Sequence, residues 1–168
     1  MYKILVISIA IILSMLNVSY AEKKIAFINI DRIINQSDAG KKSYSKIDKN
    51  YKKEKEKLQK TEKNLISKEQ EILKQKNILS EEEMNKKITD LRKEIDEFRK
   101  KRKSLSDEFN KKKLDQTNIL VDNLNSILSK YADENKISLI MQKKYIVIGK
   151  TDLDITEEIL KIFNKEVK

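Results

Sequence analysis

The sequence predicts an α+β fold that is mostly helical, in which a small β-containing oligomerisation base carries a long antiparallel helical hairpin, the arm. Three observations support this fold class. Pro is absent and Gly occurs twice, so little in the chain interrupts a long helix. Apolar residues recur every seven positions through a middle segment rich in Lys and Glu. Short Ile-rich runs, typical of buried strands, lie on both sides of that segment.

The first 21 residues are predicted to form a signal peptide that is cleaved after Ala21. Lys3 precedes an apolar run over residues 4–16, and Ser19 and Ala21 occupy the −3 and −1 positions of a small-x-Ala cleavage site. The alternative is an uncleaved membrane anchor, but the run is shorter than the roughly 20 residues that span a bilayer. We therefore expect an exported, soluble mature chain of residues 22–168.

The residue types that are missing argue against an enzyme. Cys and His are absent, which removes a disulfide framework, the commonest general base and the commonest metal ligand. The sequence also lacks a Gly-rich phosphate loop and a metal-ligand cluster. The acidic run from Glu81 to Glu83 fits the first turn of a helix, where carboxylates interact favourably with the helix dipole. We expect no catalytic residues, no cofactor and no metal.

Positive charge is concentrated in the middle of the chain. The net charge is +10, and residues 41–113 hold 25 Lys and Arg against 15 Asp and Glu, which accounts for all of it. Base composition of the coding DNA explains part of a high Lys content, but it does not explain the balanced charge of the two ends. A nucleic-acid-binding protein is a competing class, against which stand the predicted export and the many interleaved acidic residues.

The first elements after the signal peptide are predicted to be a strand and a helix start. Residues 24–30 form a short apolar run that favours a strand buried on both faces. A helical turn follows, and Ser37 is a suitable N-cap for a helix that begins at Asp38. We assign residues 22–40 and 118–168 to the base, and residues 41–117 to the arm.

The arm is predicted from two apolar seams. The first has a spacing of seven throughout: Tyr44, Tyr51, Leu58, Leu65, Ile72 and Leu79. The second alternates spacings of four and three, interrupted at Arg102: Met84, Ile88, Leu91, Ile95, Phe98, Leu105 and Phe109. Ser80 and Glu83 make a capping-box pair, so we expect the chain to reverse near residue 80, which puts Tyr44 opposite about Gln116. A continuous helix through this point is the alternative. Either way the seam is sparse, with about one apolar residue per heptad.

The C-terminal part is predicted to complete the base. Residues 137–141 and 145–148 are apolar runs that favour a hairpin or two buried strands, and a helix capped by Asp154 follows over residues 155–165. A base of some 70 residues is marginal alone and usually needs oligomerisation. The residues that we assign to this oligomerisation base are Ile25, Phe27, Ile28, Ile30, Leu139, Ile140, Ile146 and Ile148.

Three segments resemble the Skp/OmpH family of periplasmic chaperones. They are IAFINIDRIINQSDAGK, ISLIMQKKYIVIG and DLDITEEILKIFNK, and the resemblance extends over nearly the whole mature chain. The resemblance implies a periplasmic homotrimer whose subunits join through a small β-rich body, with three arms around a central cavity. It also implies ATP-independent holding of unfolded outer-membrane β-barrel proteins, with no physiological nucleic-acid partner.

Two groups of arm residues are candidates for binding such clients. The apolar group comprises Ile47, Ile66, Leu73 and Ile78, for which repacking inside the hairpin is an equal alternative. The basic group, which could instead be a solvated helix face, comprises Lys86, Lys87, Arg92, Lys93, Arg99, Lys100, Lys101, Arg102 and Lys103. In the family a basic arm surface is linked to lipopolysaccharide, so lipopolysaccharide or an anionic membrane surface is a further candidate partner, without a residue-by-residue match.

A structural coiled coil that spaces or tethers parts of the envelope is the competing function. Such a spacer would share the arms and have no client. It would not need an α+β base, and its seam would be fully apolar instead of sparse. The balanced, strand-containing ends of this sequence therefore favour the chaperone over the spacer.

Overall fold

The computed structural model describes residues 24–168, so the predicted signal peptide and the cleavage after Ala21 lie outside the described residues. The fold class is confirmed: long helices accompany one small sheet. The elements in order are β1 (Lys24–Ile28), α1 (Ile30–Gln36), α2 (Asp38–Lys74), α3 (Glu81–Asn135), β2 (Ile137–Gln142) and α4 (Thr156–Glu166), with 3-10 turns at Lys143–Tyr145 and Thr151–Leu153. Across this described range no helix is both long and apolar enough to cross a membrane.

Helices α2 and α3 pack against each other as an antiparallel hairpin that turns through residues 75–80. The capping box is confirmed: the Ser80 side chain accepts from the Glu83 N–H, and the Glu83 carboxylate accepts from the Ser80 N–H. Contacts between the helices join residues that lie at almost equal distances from position 80. Tyr44, for example, hydrogen-bonds Thr117 at 2.7 Å, one residue from the partner that the sequence predicts.

The seam between α2 and α3 is sparse, as expected. Along residues 41–117, all of which the structure describes, only Leu58 and Leu65 are buried. The other heptad residues are half-buried, because the row three positions further along α2 is mostly polar. That row holds Ile47, Glu54, Thr61, Lys68 and Gln75. Two apolar rows from each helix would close the interface, whereas α2 contributes little more than one.

The sheet differs from the prediction. β1 and β2 pair in parallel, with Ile25 opposite Leu139 and Ala26 opposite Ile140. The expected strand at residues 145–148 is wrong: β2 ends in a 3-10 turn, and the residues after it are irregular. A strand exists only where its backbone finds a partner, and within residues 24–168 no strand pairs with this segment. The opposite edge of β1 is instead occupied at one point by Asp154, which makes an isolated parallel bridge to Phe27.

The hydrophobic core lies in the base, between α1, the C-terminal part of α3 and α4. Ile33, Leu124, Ile159 and Phe163 are fully buried. The complete cluster is Ala26, Ile28, Ile33, Ile34, Ala39, Leu120, Leu124, Ile127, Ile155, Ile159 and Phe163. The prediction that Ile30 belongs to the first strand is wrong, because Asn29 is the N-cap of α1 and its side chain accepts from the Arg32 N–H.

The junction between base and arm depends on two residues. Ser37 is the N-cap of α2, as predicted, and its hydroxyl accepts from the Gly40 N–H at 3.1 Å. A Cβ atom on Gly40 would lie 1.8 Å from the Ile34 carbonyl oxygen, which is backbone and cannot swing aside. Gly40 therefore permits a close approach of α2 to the end of α1 that no other residue allows.

Candidate functional surfaces

The base exposes a set of large apolar side chains around its sheet. Ile25 and Leu139, which are cross-strand neighbours, keep 48% and 50% of their surface exposed. Tyr145, Val147 and Ile148 in the following loop are more than 70% exposed. A soluble monomer rarely exposes so many large apolar residues in one region, and such regions mark interaction sites. We call this set the base patch, and its members are Ile25, Leu139, Met141, Tyr145, Val147, Ile148 and Leu153.

The residues predicted for the oligomerisation base divide into two groups. Phe27 and Ile28 are buried, and Ile30, Ile140 and Ile146 are half-buried. Ile25, Leu139 and Ile148 are exposed and belong to the base patch.

Four members of the base patch were not among those predicted residues: Met141, Tyr145, Val147 and Leu153. Met141 lies two residues after Leu139, so the period-2 alternation of a strand could have indicated that both share a face.

The loop after β2 is held against the sheet by a polar network centred on Asp154. Its carboxylate accepts from Lys143 Nζ at 2.7 Å and from the Thr156 N–H at 3.0 Å. The Thr156 hydroxyl also donates to Asp154 and accepts from the Asn29 N–H at 2.9 Å. Partial burial raises the pKa of Asp154, but the hydrogen bonds from Lys143 and Thr156 outweigh burial and lower it below its usual value.

Asp154 was predicted to be the N-cap of the last helix, which is a small error. The N-cap of α4 is Ile155, which makes no side-chain capping bond. The Asp154 carboxylate instead accepts from the N–H of Thr156, the first residue of the helix. On the opposite side of α4 the Tyr131 hydroxyl donates to Glu158 at 2.6 Å. Desolvation and this hydrogen bond raise the pKa of Tyr131 to about 12. These side chains tie α4 to α3 and to the sheet.

The four apolar arm candidates have different surroundings. Ile66, Leu73 and Ile78 expose 51%, 64% and 81% of their surface, so repacking inside the hairpin does not account for them within one chain. Ile47 is half-buried and lies in the second row of the seam, where it stabilises the hairpin. Ile66 borders a shallow groove between α2 and α3 that Ile95 and Phe98 also line.

All nine basic candidates are exposed, and three of them also contact other side chains. Lys87 donates to Gln75 across the hairpin, Arg99 lies 3.6 Å from Asp96, and the Arg102 guanidinium lies 5.9 Å from the centre of the Phe98 ring. Arg102 occupies a seam position and lines the groove beside Ile66. Its aliphatic stem and cation–π contact therefore contribute to the arm itself.

No arrangement that could perform chemistry stands out in the part of the chain that the structure describes. Residues 24–168 contain no group of three or more His, Cys, Asp or Glu that could hold a metal ion. The cavities of this region include open grooves on the arm and beside the sheet, which are lined by mixtures of charged and apolar side chains. The features that suggest a function are therefore surfaces.

Comparison with known proteins gives these surfaces a context. The family model described as Outer membrane protein (OmpH-like) matches residues 24–163. Among solved structures, the chain is similar to a candidate outer membrane chaperone (OmpH-like) from Caulobacter crescentus CB15, with 13% sequence identity, a TM-score of 0.80 and coverage of 88% of both chains. At this identity the likeness shows the fold. The comparison with curated proteins gave no match.

Proposed function

The chain belongs to the OmpH-like family, and from this premise we propose that it is an ATP-independent holdase chaperone of the periplasm. It would bind unfolded outer-membrane β-barrel proteins between its arms and keep them soluble for delivery to the outer membrane. The observation that carries the proposal is the composition of the arm surface. The arm combines exposed apolar residues at Ile66, Leu73 and Ile78 with a large excess of exposed Lys and Arg.

Holding an unfolded chain requires contacts that are weak, numerous and adaptable. A sparse seam leaves the arm marginally stable, so its two helices can bend and separate around clients of different size. Lys and Arg attract acidic segments over several ångströms, in a way that is reversible and reduced by salt. Isolated apolar side chains add short-range contacts without a fixed shape requirement. The arm provides all three properties.

We also propose that the active form is a homotrimer assembled through the base patch. A two-stranded sheet is marginal by itself, and within residues 24–168 β2 is an edge strand that pairs only with β1. Val147 and Ile148 are 103% and 91% exposed in the single chain, which is unfavourable unless another surface covers them. A second and third copy of the same base would provide that surface and would place the arms around one cavity.

A structural spacer of the envelope remains the competing function, and two observations weigh against it. A spacer needs a tight seam, whereas Leu58 and Leu65 are the buried residues of this arm. A spacer also has no use for exposed Ile78 at the arm tip. Lipopolysaccharide or another anionic membrane surface is a further candidate partner for the basic arm residues.

The assembly is tested by light scattering coupled to size-exclusion chromatography on residues 22–168. We expect a particle of three chains, and we expect Val147→Asp to convert it to monomers because a charge is placed in the base patch. Leu114→Asp is the matched control, since Leu114 is 60% exposed on α3 outside the base patch. A wild-type monomer, or equal effects of both substitutions, contradicts the proposed assembly.

The holdase activity is tested by diluting a urea-unfolded outer-membrane barrel protein into buffer with and without the chain. We expect aggregation, measured as turbidity, to be suppressed when one trimer is present per client. We also expect a soluble complex of one trimer and one client, and Val147→Asp should lose both. An assembled particle that leaves the turbidity unchanged would support the spacer instead.

A further inference from the structure

The positive charge of the arm is unevenly distributed along its length. We divide the arm into a basic collar next to the base, residues 41–63 and 99–113, and a distal arm, residues 64–98. The basic collar contains 18 Lys and Arg against 6 Asp and Glu, a net charge of +12. The distal arm contains 7 Lys and Arg against 9 Asp and Glu, a net charge of −2. The excess positive charge of the arm therefore lies entirely in the basic collar.

Most of the collar charges have no carboxylate within 4.0 Å. Within this fully described part of the chain, three of the 18 basic side chains lie within 4.0 Å of an acid: Lys57 with Glu54 at 2.6 Å, Lys113 with Asp48 at 3.2 Å, and Arg99 with Asp96 at 3.6 Å. The others extend into solvent around both helices. Such a concentration of like charge opposes the packing of α2 against α3.

Aromatic contacts oppose this repulsion at the same level of the arm. The Tyr51 and Phe109 rings stack across the hairpin with their centres 4.2 Å apart. Lys113 Nζ lies 4.7 Å from the centre of the Phe109 ring and also bonds Asp48. The seam of the distal arm is instead mostly aliphatic, and its one aromatic residue, Phe98, lies next to the basic collar. The aromatic stacking between the helices thus occurs where the charge is greatest.

The exposed apolar residues follow the opposite distribution. Ile66, Leu73 and Ile78 all lie in the distal arm. Ile66 and Leu73 are seven residues apart, about 10 Å along the helix. This spacing separates single apolar side chains instead of gathering them into one patch that could accept an acyl chain. An extended polypeptide rises about 3.3 Å per residue, so about three of its residues span the distance between Ile66 and Leu73.

We propose that the two parts of the arm bind different parts of one client, an inference that rests on the proposed function. The basic collar binds acidic segments of the unfolded polypeptide near the base. The distal arm contacts apolar segments through Ile66, Leu73 and Ile78. The occupant is a polypeptide because it alone supplies separate acidic and apolar segments along one flexible chain.

The test uses two variants of residues 22–168 that each lose four positive charges. The collar variant is Lys53→Gln, Lys60→Gln, Lys100→Gln and Lys103→Gln. The distal variant is Lys74→Gln, Lys76→Gln, Arg92→Gln and Lys93→Gln. All eight side chains are exposed, and Gln has nearly the helix propensity of Lys and Arg, so circular dichroism should show unchanged helix content and melting temperature.

The probe is a fluorescently labelled, unstructured peptide of Glu and Ser repeats, with a Gln and Ser peptide as the neutral control. We expect the collar variant to bind the acidic peptide about tenfold more weakly at low salt and to lose much of the salt dependence. We expect the distal variant to change the affinity by less than about twofold, because its charges lie where the local field is already near neutral.

Equal weakening by both variants would overturn the proposal, since net charge alone would then explain binding. Failure of the wild type to bind the acidic peptide while it binds lipopolysaccharide micelles would overturn the polypeptide as occupant. Retention of wild-type client holding by the collar variant would also overturn it. Failure of the proposed function is recognised separately, because the wild type itself would then leave client aggregation unchanged.

Discussion

The base and the arm of this chain are built by different physical means. In the base, Ile33, Leu124, Ile159 and Phe163 are completely buried, and hydrogen bonds such as that from the Asn29 N–H to Thr156 join residues distant in sequence. In the arm, the two deepest side chains are Leu58 and Leu65, and the polar contacts across the hairpin join exposed groups. The base has a core, whereas the arm has a thin seam to which α2 contributes a single row of apolar residues.

This difference indicates where the stability of the molecule resides. Burial of apolar surface supplies most of the free energy of folding, so the base is expected to unfold as one cooperative unit. The arm is expected to open locally at a lower cost, because few of its side chains leave water on folding. One short chain thereby combines a rigid base with an arm that opens easily.

Phe163→Ala should destabilise the base most. Phe163 is fully buried, and large-to-small changes at such sites cost about 3–5 kcal/mol. Urea denaturation followed by circular dichroism, at a fixed protein concentration, measures the loss. Leu65→Ala is the matched change in the arm, and it should increase amide exchange in residues 58–72 and 91–105 while leaving the base protected. Similar global destabilisation by both changes would contradict the division into a stable base and a compliant arm.

Gly40→Ala should destabilise the junction, because its Cβ would lie 1.8 Å from the Ile34 carbonyl oxygen and force α1 and α2 apart. Overpacking of this kind costs about 1–3 kcal/mol, occasionally more. Gly149→Ala provides the comparison, since its Cβ would meet the Phe27 ring at 2.8 Å, where a side chain can shift. Thermal melting of both variants should show the larger loss for Gly40→Ala. A larger loss of melting temperature for Gly149→Ala would mean that the loop around Gly149 tolerates an added Cβ less well than the junction at Gly40 does.

Asp154→Asn should reveal a pH-dependent part of the stability of the base. The pKa of Asp154 is lowered in the folded chain by Lys143 and Thr156, so its contribution is fully present above the unfolded pKa, near 4. It is lost as the pH falls through the lower, folded pKa. Urea denaturation should therefore show a difference of about 1–3 kcal/mol between wild type and variant at pH 7 that shrinks below about pH 4. A difference that is constant from pH 7 to pH 3 would exclude this carboxylate as its source.

Lys68→Gln should have the smallest effect. Lys68 Nζ lies 2.6 Å from Glu94 across the hairpin, but the two side chains are 51% and 43% exposed. Pairs of this kind contribute less than about 1 kcal/mol and are weakened by salt. A double-mutant cycle with Glu94→Gln, measured by amide exchange of the arm at low and high salt, isolates the coupling. A coupling well above that range would mean that polar contacts, and not the apolar seam, supply most of the stability of the arm.

The arm could be predicted almost completely from the sequence, because a helix is specified by local information. The heptad row identified α2, the capping box identified the start of α3, and the antiparallel register was placed within one residue at Tyr44. Each of these features involves residues that are close in sequence or related by one reversal. The sparseness of the seam could also be predicted, because most positions of the second heptad row in α2 are polar in the sequence.

The base was harder to predict because strand pairing depends on distant residues. The run at residues 145–148 has the composition of a strand but finds no partner within residues 24–168. Ile30 continues an apolar run, yet the Asn29 cap ends the extended conformation before it. The charge division of the arm follows from the sequence once the reversal near residue 80 is predicted, because that reversal makes residues 41–63 and 99–113 neighbours. The exposure of Ile66, Leu73 and Ile78 needed the structure.

The sparse seam also bears on how such an arm can change during evolution. Since α2 contributes one apolar position in seven to the packing between the helices and α3 about two, most positions along the arm lie outside the seam and tolerate substitution. Insertion of seven residues in α2 together with seven in α3 would preserve the register and lengthen the arm by about 10 Å. The reach of the arm, and with it the size of whatever it encloses, can thus vary in discrete steps while the base stays the same.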